Sequence, residues 1–372
     1  MVTEDWYFVS HRLPLAESAR AAGFDVAVAT RERRHGDQIR RAGIRLIPLQ
    51  LSRRGGNPLR ELSALWRIYR RERPDIVHHV ALKAVLFGAI AARLAGVPAQ
   101  VNAVAGLGWL VGSTRWPGHQ ARQLIGRVLA TQLNRPGSLT IVQNPEDRRR
   151  LERAGTATHH LRLIRGAGVD LLRFTPAATP PPGPVRVVLV ARMLWPKGVG
   201  EFVDAARALA GTGVDARFVL VGTPDDGNPS SIPEATLRHW DRAGVVQWME
   251  RREDVADVLR SAHIACLPSA YGEGIPKSLI EAAACGLPIV TTDAPGCREV
   301  VTHGVNGLLV PVGDATALAA ALRELIADPA VRERMGAESR RRAEREFGLE
   351  AVTSQTLALY GELAAGGADG AL

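Results

Sequence analysis

The sequence contains little cysteine. Three cysteines occur in 372 residues, at Cys266, Cys285 and Cys297. Their spacing fits no zinc motif, and an odd number cannot all pair into a disulfide framework. Each lies in or beside an apolar segment, which indicates buried thiols in a reducing compartment.

The sequence also lacks a hydrophobic run long enough to cross a membrane. The longest apolar stretch, Val80–Val97, is interrupted by Lys83 and Arg93, and its uninterrupted part is too short. Residues Met1–Ser10 show no basic region followed by an apolar stretch, which is the pattern of a secretory signal. We therefore expect a cytoplasmic protein.

There is no acidic excess. The chain has 47 Lys and Arg residues against 38 Asp and Glu, a formal net charge of +9. This balance favours anionic partners, namely diphosphates, anionic lipid surfaces or nucleic acid. Nucleic acid is the least favoured of the three, because no recognised binding motif accompanies the charge.

Two segments combine basic and aromatic residues. Leu59–Arg73 mixes Leu, Trp and Tyr with five Arg residues, and Trp109–Arg135 contains Trp109, Trp116 and several Arg residues. Such a surface suits an anionic membrane and a lipid diphosphate. Taken alone, either segment is better explained as an ordinary amphipathic helix with a solvated basic face. The net charge favours the membrane, so we expect peripheral contact with the inner membrane surface.

Strand-like and helix-like segments alternate along the chain, which predicts an α/β fold with parallel sheets and helices on both faces. The chain is longer than one compact core usually organises, so two domains are expected. The predicted strands are Asp25–Thr30, Ile44–Leu49, Ile76–Val80, Gln100–Val104, Leu139–Gln143, Val185–Val190, Ala216–Val221, Val245–Trp248, Ile264–Leu267, Ile289–Thr292 and Gly307–Val310. The predicted helices are Ser10–Ala22, Leu59–Arg73, Lys83–Ala95, Gly118–Leu133, Pro145–Ala154, Val199–Ala210, Ala235–Arg242, Val255–Ser261, Pro276–Ala284 and Ala315–Ile326.

A proline-rich segment divides the pattern. Ala177–Pro184 reads AATPPPGP, which cannot form a regular element and predicts a linker. Two doubly wound, Rossmann-like halves would then face each other across a cleft, with ligands at the carboxyl ends of the strands. The expected organisation is residues 1–176, linker 177–184, residues 185–346, and a C-terminal helix within 347–372 that returns to the first domain before a disordered tail.

The beginning of the sequence departs from this plan. A doubly wound domain normally opens with a buried strand, yet the chain starts Met1-Val2-Thr3-Glu4-Asp5, where only the last residues of a strand are present. Two explanations stay open. Either the start codon is placed too late, or the first strand is very short.

The segment from Pro268 to Pro288 carries the clearest chemical signal. A strand ends in a glycine-containing loop, and a helix then begins near Pro276, where proline suits the first turn. A helix N-terminus offers unpaired amides and a positive dipole end, which favour a diphosphate. Glu273 precedes the helix and Glu281 lies two turns beyond it in sequence, so the two acids can bind hydroxyls on either side of a diphosphate. A capping carboxylate and a surface acid would explain either Glu alone.

A second segment, Ala191–Gly198, reads ARMLWPKG and follows the first strand of the second half. Arg192 and Lys197 both stand at the carboxyl end of that strand. Two cations there can neutralise a diphosphate, Arg through its planar fork and Lys as a point charge. A pair of solvated surface charges is the simpler explanation when the segment is taken alone, but Glu273 and Glu281 nearby favour a binding site.

Together these segments resemble the family 4 retaining glycosyltransferases, which have the GT-B fold. They resemble most the bacterial enzymes that build capsules, O-antigens and exopolysaccharides on a polyprenyl diphosphate carrier. The resemblance covers nearly the whole chain. It rests on TEDWYFVSHRLPLA near the start, AGLGWL at Ala105–Leu110, GAGVDLLRF at Gly166–Phe174, ARMLWPKG, EGIPKSLIE, PGCREVV at Pro295–Val301 and NGLLVP at Asn306–Pro311.

The resemblance implies roles for individual residues. Glu281 corresponds to the family acid that binds the nucleotide ribose, and Glu273 to the acid that contacts hydroxyls of the transferred sugar. Arg192 and Lys197 correspond to the basic pair on the donor diphosphate. The remaining predicted contacts to the nucleotide and its phosphates are Gly222, Gly274, Ile275, Pro276 and Ser278.

One family feature is missing from the first half. Many members carry a histidine in the loop after the fourth strand, whereas Asn102–Gly108 contains none. His11, in the Ser10-His11-Arg12 run that begins the first predicted helix, is a candidate to replace its contact with the donor sugar. A helix-start residue with a solvated ring explains His11 equally well.

The resemblance implies transfer with retention of the anomeric configuration, and UDP is the nucleotide that the family most often uses. No carboxylate stands out as a covalent nucleophile, so front-face attack is expected, with the leaving phosphate helping to take the acceptor proton. No metal cluster and no cofactor are expected, and Asp225-Asp226 is interpreted as part of a turn. Two alternatives stay open, a nucleotide-sugar epimerase of similar build and a non-catalytic protein that binds sugar nucleotides or lipids.

Overall fold

A computed structural model describes residues 1–49, 51, 56–104, 106–107, 119–225, 227–270 and 272–368. The chain forms two compact units. The first comprises Met1–Gly168 and the chain from Leu349 onward, and the second comprises Val169–Gly348.

The boundaries between the units follow from backbone pairing. The amide of Val169 donates to the carbonyl of Phe347 over 2.9 Å, and Val169 also forms a parallel bridge with Gly348. The chain therefore joins the second unit directly after Gly168. Residues 169–184, which the sequence assigns to the first domain and the linker, lie in the second unit.

The first unit contains two parallel sheets. Strands β1 (Ala27–Thr30) and β2 (Arg45–Pro48) form a pair. A four-stranded sheet has the order β3-β4-β5-β6, with strands at Ile76–Val80, Ala99–Val104, Ser138–Val142 and Leu161–Leu163. Every residue of β4 and β5 is buried, as parallel strands covered on both faces require. The sequence did not predict β6, because three residues are too few to show a periodic pattern.

Helices accompany these strands. Within the described residues, those before the second unit are α1 (Asp5–His11), α2 (Leu13–Ala21), α3 (Gly36–Arg41), α4 (Pro58–Glu72), α5 (Leu82–Ala95), α6 (His119–Leu133) and α7 (Pro145–Arg153). The single helix predicted over Ser10–Ala22 is wrong, because the chain forms two helices that break at Arg12. Pro14 explains the break, since it has no amide and its ring would clash with the carbonyl of Ser10 in a continuous helix.

Helix α4 is amphipathic. It buries Glu61, Leu65 and Tyr69, each one turn from the next. On its other side Leu59 and Trp66 are 76% and 39% exposed. The exposed arginines of this helix are Arg60, Arg67, Arg70 and Arg71. The predicted helix and its basic face are thus confirmed. Residues 108–118, which include Trp109 and Trp116 of the second basic segment, lie outside the described residues.

The second unit is built on one six-stranded parallel sheet of order β12-β11-β10-β7-β8-β9. Its strands are β7 (Val185–Val190), β8 (Ala216–Val221), β9 (Gln247–Met249), β10 (Ile264–Leu267), β11 (Ile289–Thr292) and β12 (Gly307–Val310). Its helices are α8 (Val199–Leu209), α9 (Glu234–Arg242), α10 (Val255–Arg260), α11 (Lys277–Ala284), α12 (Ala315–Ala327) and α13 (Pro329–Glu346). Buried apolar residues of the strands and helices form one hydrophobic core in this unit.

The last described helix, α14 (Leu349–Ala368), belongs to the first unit. The Tyr360 hydroxyl and Nδ1 of His78 lie 2.6 Å apart. Glu362 accepts a hydrogen bond from Arg162 over 2.7 Å. No described helix is both long and apolar enough to cross a bilayer.

Candidate active site

The strand order of the second unit places a topological switch point between β7 and β10. From β7 the chain adds β8 and β9 on one side, and it then returns to add β10, β11 and β12 on the other. Because the strands are parallel, the loops after β7, β8 and β10 leave the same edge of the sheet. Ligands of open α/β sheets bind at this point. Apart from His11, the site residues predicted from the sequence lie in these loops or in α11.

A glycine holds the loop after β7 against the loop after β10. Residues Trp195–Lys197 form a 3₁₀ turn, and Gly198 follows with φ +75°. A Cβ at Gly198 would lie 2.0 Å from the carbonyl oxygen of Pro268. Only glycine therefore permits both the backbone conformation and the close approach. The amide of Ala270 donates to the carbonyl of Pro196 over 2.8 Å and joins the two loops further.

Lys197 and Glu273 form an ion pair between these loops, with Nζ of the lysine donating to Oε2 of the glutamate. Their side chains are only 11% and 13% exposed. The hydroxyl of Ser269 donates to Oε1 of Glu273 over 2.7 Å. Two donors to a charged acceptor hold the Glu273 carboxylate in one orientation.

Arg192 lies in the same loop and pairs with a residue that follows β8. Its Nη1 donates to Oδ2 of Asp225 over 2.6 Å, and the guanidinium side chain remains 38% exposed. The amide of Asp225 donates to the hydroxyl of Ser231, and its carbonyl accepts from the amide of Asn228. These bonds confirm that Asp225 belongs to a turn. The turn orients Arg192 while leaving its fork accessible.

Glu281 lies on α11 and is 8% exposed. Its Oε1 lies 3.1 Å from Nζ of Lys277, one turn earlier. Burial raises the pKa of Glu281, and the Lys277 ammonium opposes that rise. A carboxylate this buried retains its charge only when strong donors face it, so a ligand that brings hydroxyl donors would be favoured there.

Helix α11 begins at Lys277, and Pro276 is its N-cap rather than its first residue. The amides of Leu279 and Ile280 donate the first hydrogen bonds of the helix to the carbonyl of Pro276. The amides before them, including that of Ser278, have no carbonyl within the helix one turn back. The positive end of the helix dipole adds to them. This N-terminus follows β10 at the switch point and is suited to a phosphate group.

The backbone before α11 is packed tightly. A Cβ at Gly296 would lie 1.7 Å from the carbonyl oxygen of Gly274, so the loop after β11 presses directly on this segment. Gly274, Ile275 and Pro276 are all buried. The structure thus places these three residues and Glu273 in one tightly packed segment that leads into α11.

Gly222 directly follows β8 with φ +138°, and a Cβ there would lie 1.9 Å from the carbonyl oxygen of Ala191. Its amide donates to the carbonyl of Met249, and its carbonyl accepts from Nε1 of Trp248. Packing alone explains why this position is glycine. Its predicted contact with the nucleotide stays a prediction.

His11 belongs to the first unit, whereas the other predicted site residues belong to the second. It is the last residue of α1 and not, as predicted, near the start of a helix. Its ring stacks on Tyr7 with the centroids 4.2 Å apart, and Nδ1 lies 2.5 Å from the Ser10 hydroxyl. These contacts fix the ring, and its role in the reaction stays a prediction.

The expectation of buried thiols is confirmed for Cys266, Cys285 and Cys297. Burial raises the pKa of Cys285 and of Cys297 to about 12. Such thiols are protonated at neutral pH and are poor nucleophiles. Among the residues that the structure describes, no three His, Cys, Asp or Glu side chains are grouped to hold a metal ion. Asp226 lies outside those residues.

Three of the residues that pair with the predicted site residues were not predicted from the sequence. They are Ser269 on Glu273, Asp225 on Arg192 and Lys277 on Glu281. Lys277 carried a usable signal, because residues four apart on a helix face each other. The other two pairs depend on how separate loops meet.

Two family models match the chain, one for "Glycosyl transferase 4-like" proteins over residues 1–134 and one for "Glycosyl transferases group 1" over residues 184–328. The second covers the loops that carry Arg192, Lys197, Glu273 and Glu281. The chain is a glycosyltransferase.

Curated relatives of this glycosyltransferase include bacterial enzymes that transfer sugars. The N,N'-diacetylbacillosaminyl-diphospho-undecaprenol alpha-1,3-N-acetylgalactosaminyltransferase of Campylobacter jejuni is 27% identical over 337 residues, 86% of this chain and 87% of that protein. The "Putative colanic acid biosynthesis glycosyltransferase WcaL" of Salmonella typhimurium is 31% identical over 237 residues, 61% of this chain and 57% of WcaL.

Solved structures show the same fold. Anabaena HepE in complex with UDP has a TM-score of 0.77 at 20% identity, with 94% of each chain covered. Sucrose-phosphate synthase from Thermosynechococcus elongatus has a TM-score of 0.75 at 24% identity, with 94% of the glycosyltransferase and 92% of that chain covered. The predicted GT-B fold is thereby confirmed.

Proposed function

We propose that this glycosyltransferase transfers a sugar from a UDP-sugar to a hydroxyl of a polyprenyl-diphosphate-linked saccharide, with retention of configuration and without a metal ion. The observation that carries the proposal is the arrangement at the switch point. Lys197 and Arg192 follow β7, and the N-terminus of α11 follows the adjacent strand β10. These groups supply the positive charge that a departing diphosphate needs.

The site residues divide the donor between them. Lys197 and Arg192 would bind the diphosphate, together with the first amides of α11. Glu273, held by Ser269, would accept hydrogen bonds from hydroxyls of the transferred sugar. Glu281 would accept from the ribose, whose hydroxyls then satisfy the buried carboxylate.

The reaction exchanges one bond at the anomeric carbon for another. The bond from that carbon to the diphosphate oxygen breaks, and a bond to the acceptor oxygen forms on the same face. The acceptor proton moves to an oxygen of the departing phosphate. Lys197 and Arg192 stabilise the negative charge that develops there, and positioning of the acceptor hydroxyl supplies much of the remaining rate enhancement.

The proposed acceptor rests on the relatives and on charge. The Campylobacter jejuni relative is named for a diphospho-undecaprenol-linked sugar. This chain carries a net charge of +9, and α4 exposes Leu59 and Trp66 beside four exposed arginines. An exposed basic and apolar helix face suits peripheral contact with the anionic inner membrane surface, where such an acceptor is held.

A panel of nucleotide-sugars tests the proposal. Thermal stabilisation identifies the donor, and transfer to a synthetic polyprenyl-diphosphate saccharide is then followed in the presence of EDTA. We expect UDP-sugars to stabilise most, transfer to persist in EDTA, and the product to keep the donor's anomeric configuration by NMR. Release of epimerised nucleotide-sugar without transfer would instead establish the epimerase, and nucleotide-sugar binding without turnover would establish a non-catalytic protein.

A further inference from the structure

In the first unit the gap between β1 and β3 is bridged by the first residues of the chain. The amide of Val2 donates to the carbonyl of Ala29 over 3.0 Å. On the other side, the amide of Val80 donates to the carbonyl of Met1 over 3.1 Å, and the Met1 amine donates to the carbonyl of His78 over 2.6 Å. Extended backbone that bonds to both neighbours shows that the gap is one strand wide.

The gap continues beyond Met1 as a cavity of about 1030 Å³. Edge residues of β1 and β3 line it on two sides, among them Ala27, Val28, Ile76 and Val77. Helices α2 and α14 also contribute to its walls, through Ala16, Ala19, Tyr360 and Leu363. Its outline is therefore that of a slot in the plane of the sheet, open between two parallel strands.

The hydrogen bonds of Met1 set a register for that slot. In a parallel pair, every second residue of a strand turns its amide and carbonyl toward the same neighbour. His78 O and Val80 N already face Met1, so His78 N and Ile76 O face the slot. By the same rule Ala29 N and Ala27 O face it from β1, since Ala29 O bonds to Val2. Such edges are templates for a further strand.

The buried Arg12 side chain also indicates that the slot lacks part of its natural contents. Arg12 lines it and is 6% exposed, yet its Nε and Nη2 have no hydrogen-bond partner within the described residues. The Met1 ammonium is buried beside it, and burial together with the Arg12 charge lowers the pKa of this amine to about 5. A buried guanidinium whose nitrogens lack acceptors is costly, and so is a buried amine that loses its proton. A peptide bond before Met1 would replace the ammonium by a neutral amide and would bring carbonyl acceptors within the slot.

We propose that the slot holds a β-strand that is joined to Met1 and pairs in parallel with both β1 and β3. The strand would unite the two sheets in the order β2-β1-new strand-β3-β4-β5-β6. Met1 stands opposite His79, and β3 begins at Ile76, so about three to five residues at 3.3 Å each fill the slot. They should be apolar, because a parallel strand at this position is covered on both faces. The occupant is the translated sequence immediately upstream of Met1.

Two measurements test this strand. Mass spectrometry of the protein purified from its native source should find an N-terminal peptide that extends at least three residues before Met1. The recombinant chain carrying those residues should unfold about 5 °C or more above the chain that starts at Met1. The control carries the same extension with proline at its central residue, which removes a ladder donor, and it should lose that gain.

Three outcomes would overturn the proposal. A native protein that begins at Met1 leaves no strand to fill the slot. A proline control as stable as the unmodified extension shows that the added residues do not pair. Inorganic phosphate that stabilises the Met1-initiated chain, with the effect lost in Arg12→Gln, identifies an anion as the occupant instead.

Discussion

Lys197 and Glu273 form a buried ion pair that joins the loops after two adjacent strands, β7 and β10. Each charge compensates the other, and Ser269 donates to the second oxygen of the glutamate. A donor diphosphate would give Lys197 a second anionic partner without requiring Glu273 to move. The pair thus holds Lys197 and Glu273, the acid proposed to bind the sugar, in place before a donor binds.

Replacing Lys197 by methionine should reduce kcat about 100- to 1,000-fold, the loss expected when one donor to a developing negative charge is removed. Steady-state transfer from the UDP-sugar measures this effect. Arg238→Met is the control, because Arg238 pairs with Glu234 on the exposed surface of α9 and should leave kcat unchanged. Equal rates for the Lys197 variant and the wild type would remove Lys197 from the mechanism.

Glu273→Gln and Glu281→Gln should separate sugar binding from nucleotide binding. If Glu281 binds the ribose, its variant loses about 10- to 150-fold in affinity for both UDP and the UDP-sugar, since a hydrogen bond to a charged group contributes about 1.5–3 kcal/mol. If Glu273 binds the sugar, its variant loses affinity for the UDP-sugar alone. Calorimetric titration with each ligand checks this, and a Glu273 variant that weakens UDP equally contradicts the assignment.

The raised pKa of Glu281 predicts a dependence of stability on pH. Because burial raises this pKa, the carboxyl contributes stability below its unfolded pKa, and that contribution is lost as pH rises through the folded pKa. Glu281→Gln removes the loss, so the variant should gain stability relative to wild type between pH 4 and pH 7. Thermal unfolding at both values measures the gain. Glu324→Gln, on the exposed part of α12, should show none.

Gly198→Ala and Gly213→Ala form a matched pair, since φ is +75° at one and +78° at the other. Gly213 has no neighbour within 4 Å, whereas a Cβ at Gly198 would lie 2.0 Å from the Pro268 carbonyl. Backbone strain alone should cost Gly213→Ala about 1–2 kcal/mol. Gly198→Ala should lose about 1–3 kcal/mol more through the clash and should lower transfer activity. Denaturant unfolding checks both values, and equal losses would show that the loops separate without cost.

Vesicle sedimentation tests membrane contact through α4. Replacing Arg67 and Arg70 by glutamine should weaken binding to anionic vesicles about 30-fold, because each arginine near such a surface contributes about 1 kcal/mol. The double variant Arg217→Gln and Arg323→Gln removes the same charge from exposed positions of the second unit and should bind like wild type. Equal weakening in both variants would mean that net charge, and not α4, determines binding.

The edge of the sheet that carries the site can be predicted from the sequence. Arg192 and Glu273 each follow a strand with clear apolar character, and parallel strands send their carboxyl ends to one edge. The sequence shows that Gly198 and Gly222 lie in turns. It does not show why glycine is needed there, which is that their Cα atoms lie against backbone at Pro268 and Ala191. Only the packed structure reveals such contacts.

The predictions that were wrong or missing also have physical causes. Pro14 was a visible break signal, but the apolar pattern on either side of it favoured one helix over Ser10–Ala22. Asp225 could be identified as a turn residue and not as the partner of Arg192, because the two are 33 residues apart. Pairing across such a distance depends on tertiary contacts that no local pattern encodes.

The hydrogen bond between Val169 and Phe347 has a practical meaning for chimeric enzymes. It places the entry and exit of the second unit side by side, so this unit is inserted into the first as one continuous piece of chain. Exchange with the corresponding piece of a relative needs two cuts, after Gly168 and before Leu349, and Val169 pairs with Phe347 and Gly348 directly beside these cuts. Such grafts would transfer all of the proposed donor-binding residues together, while α14 and helices α1–α7 of the first unit keep their own contacts.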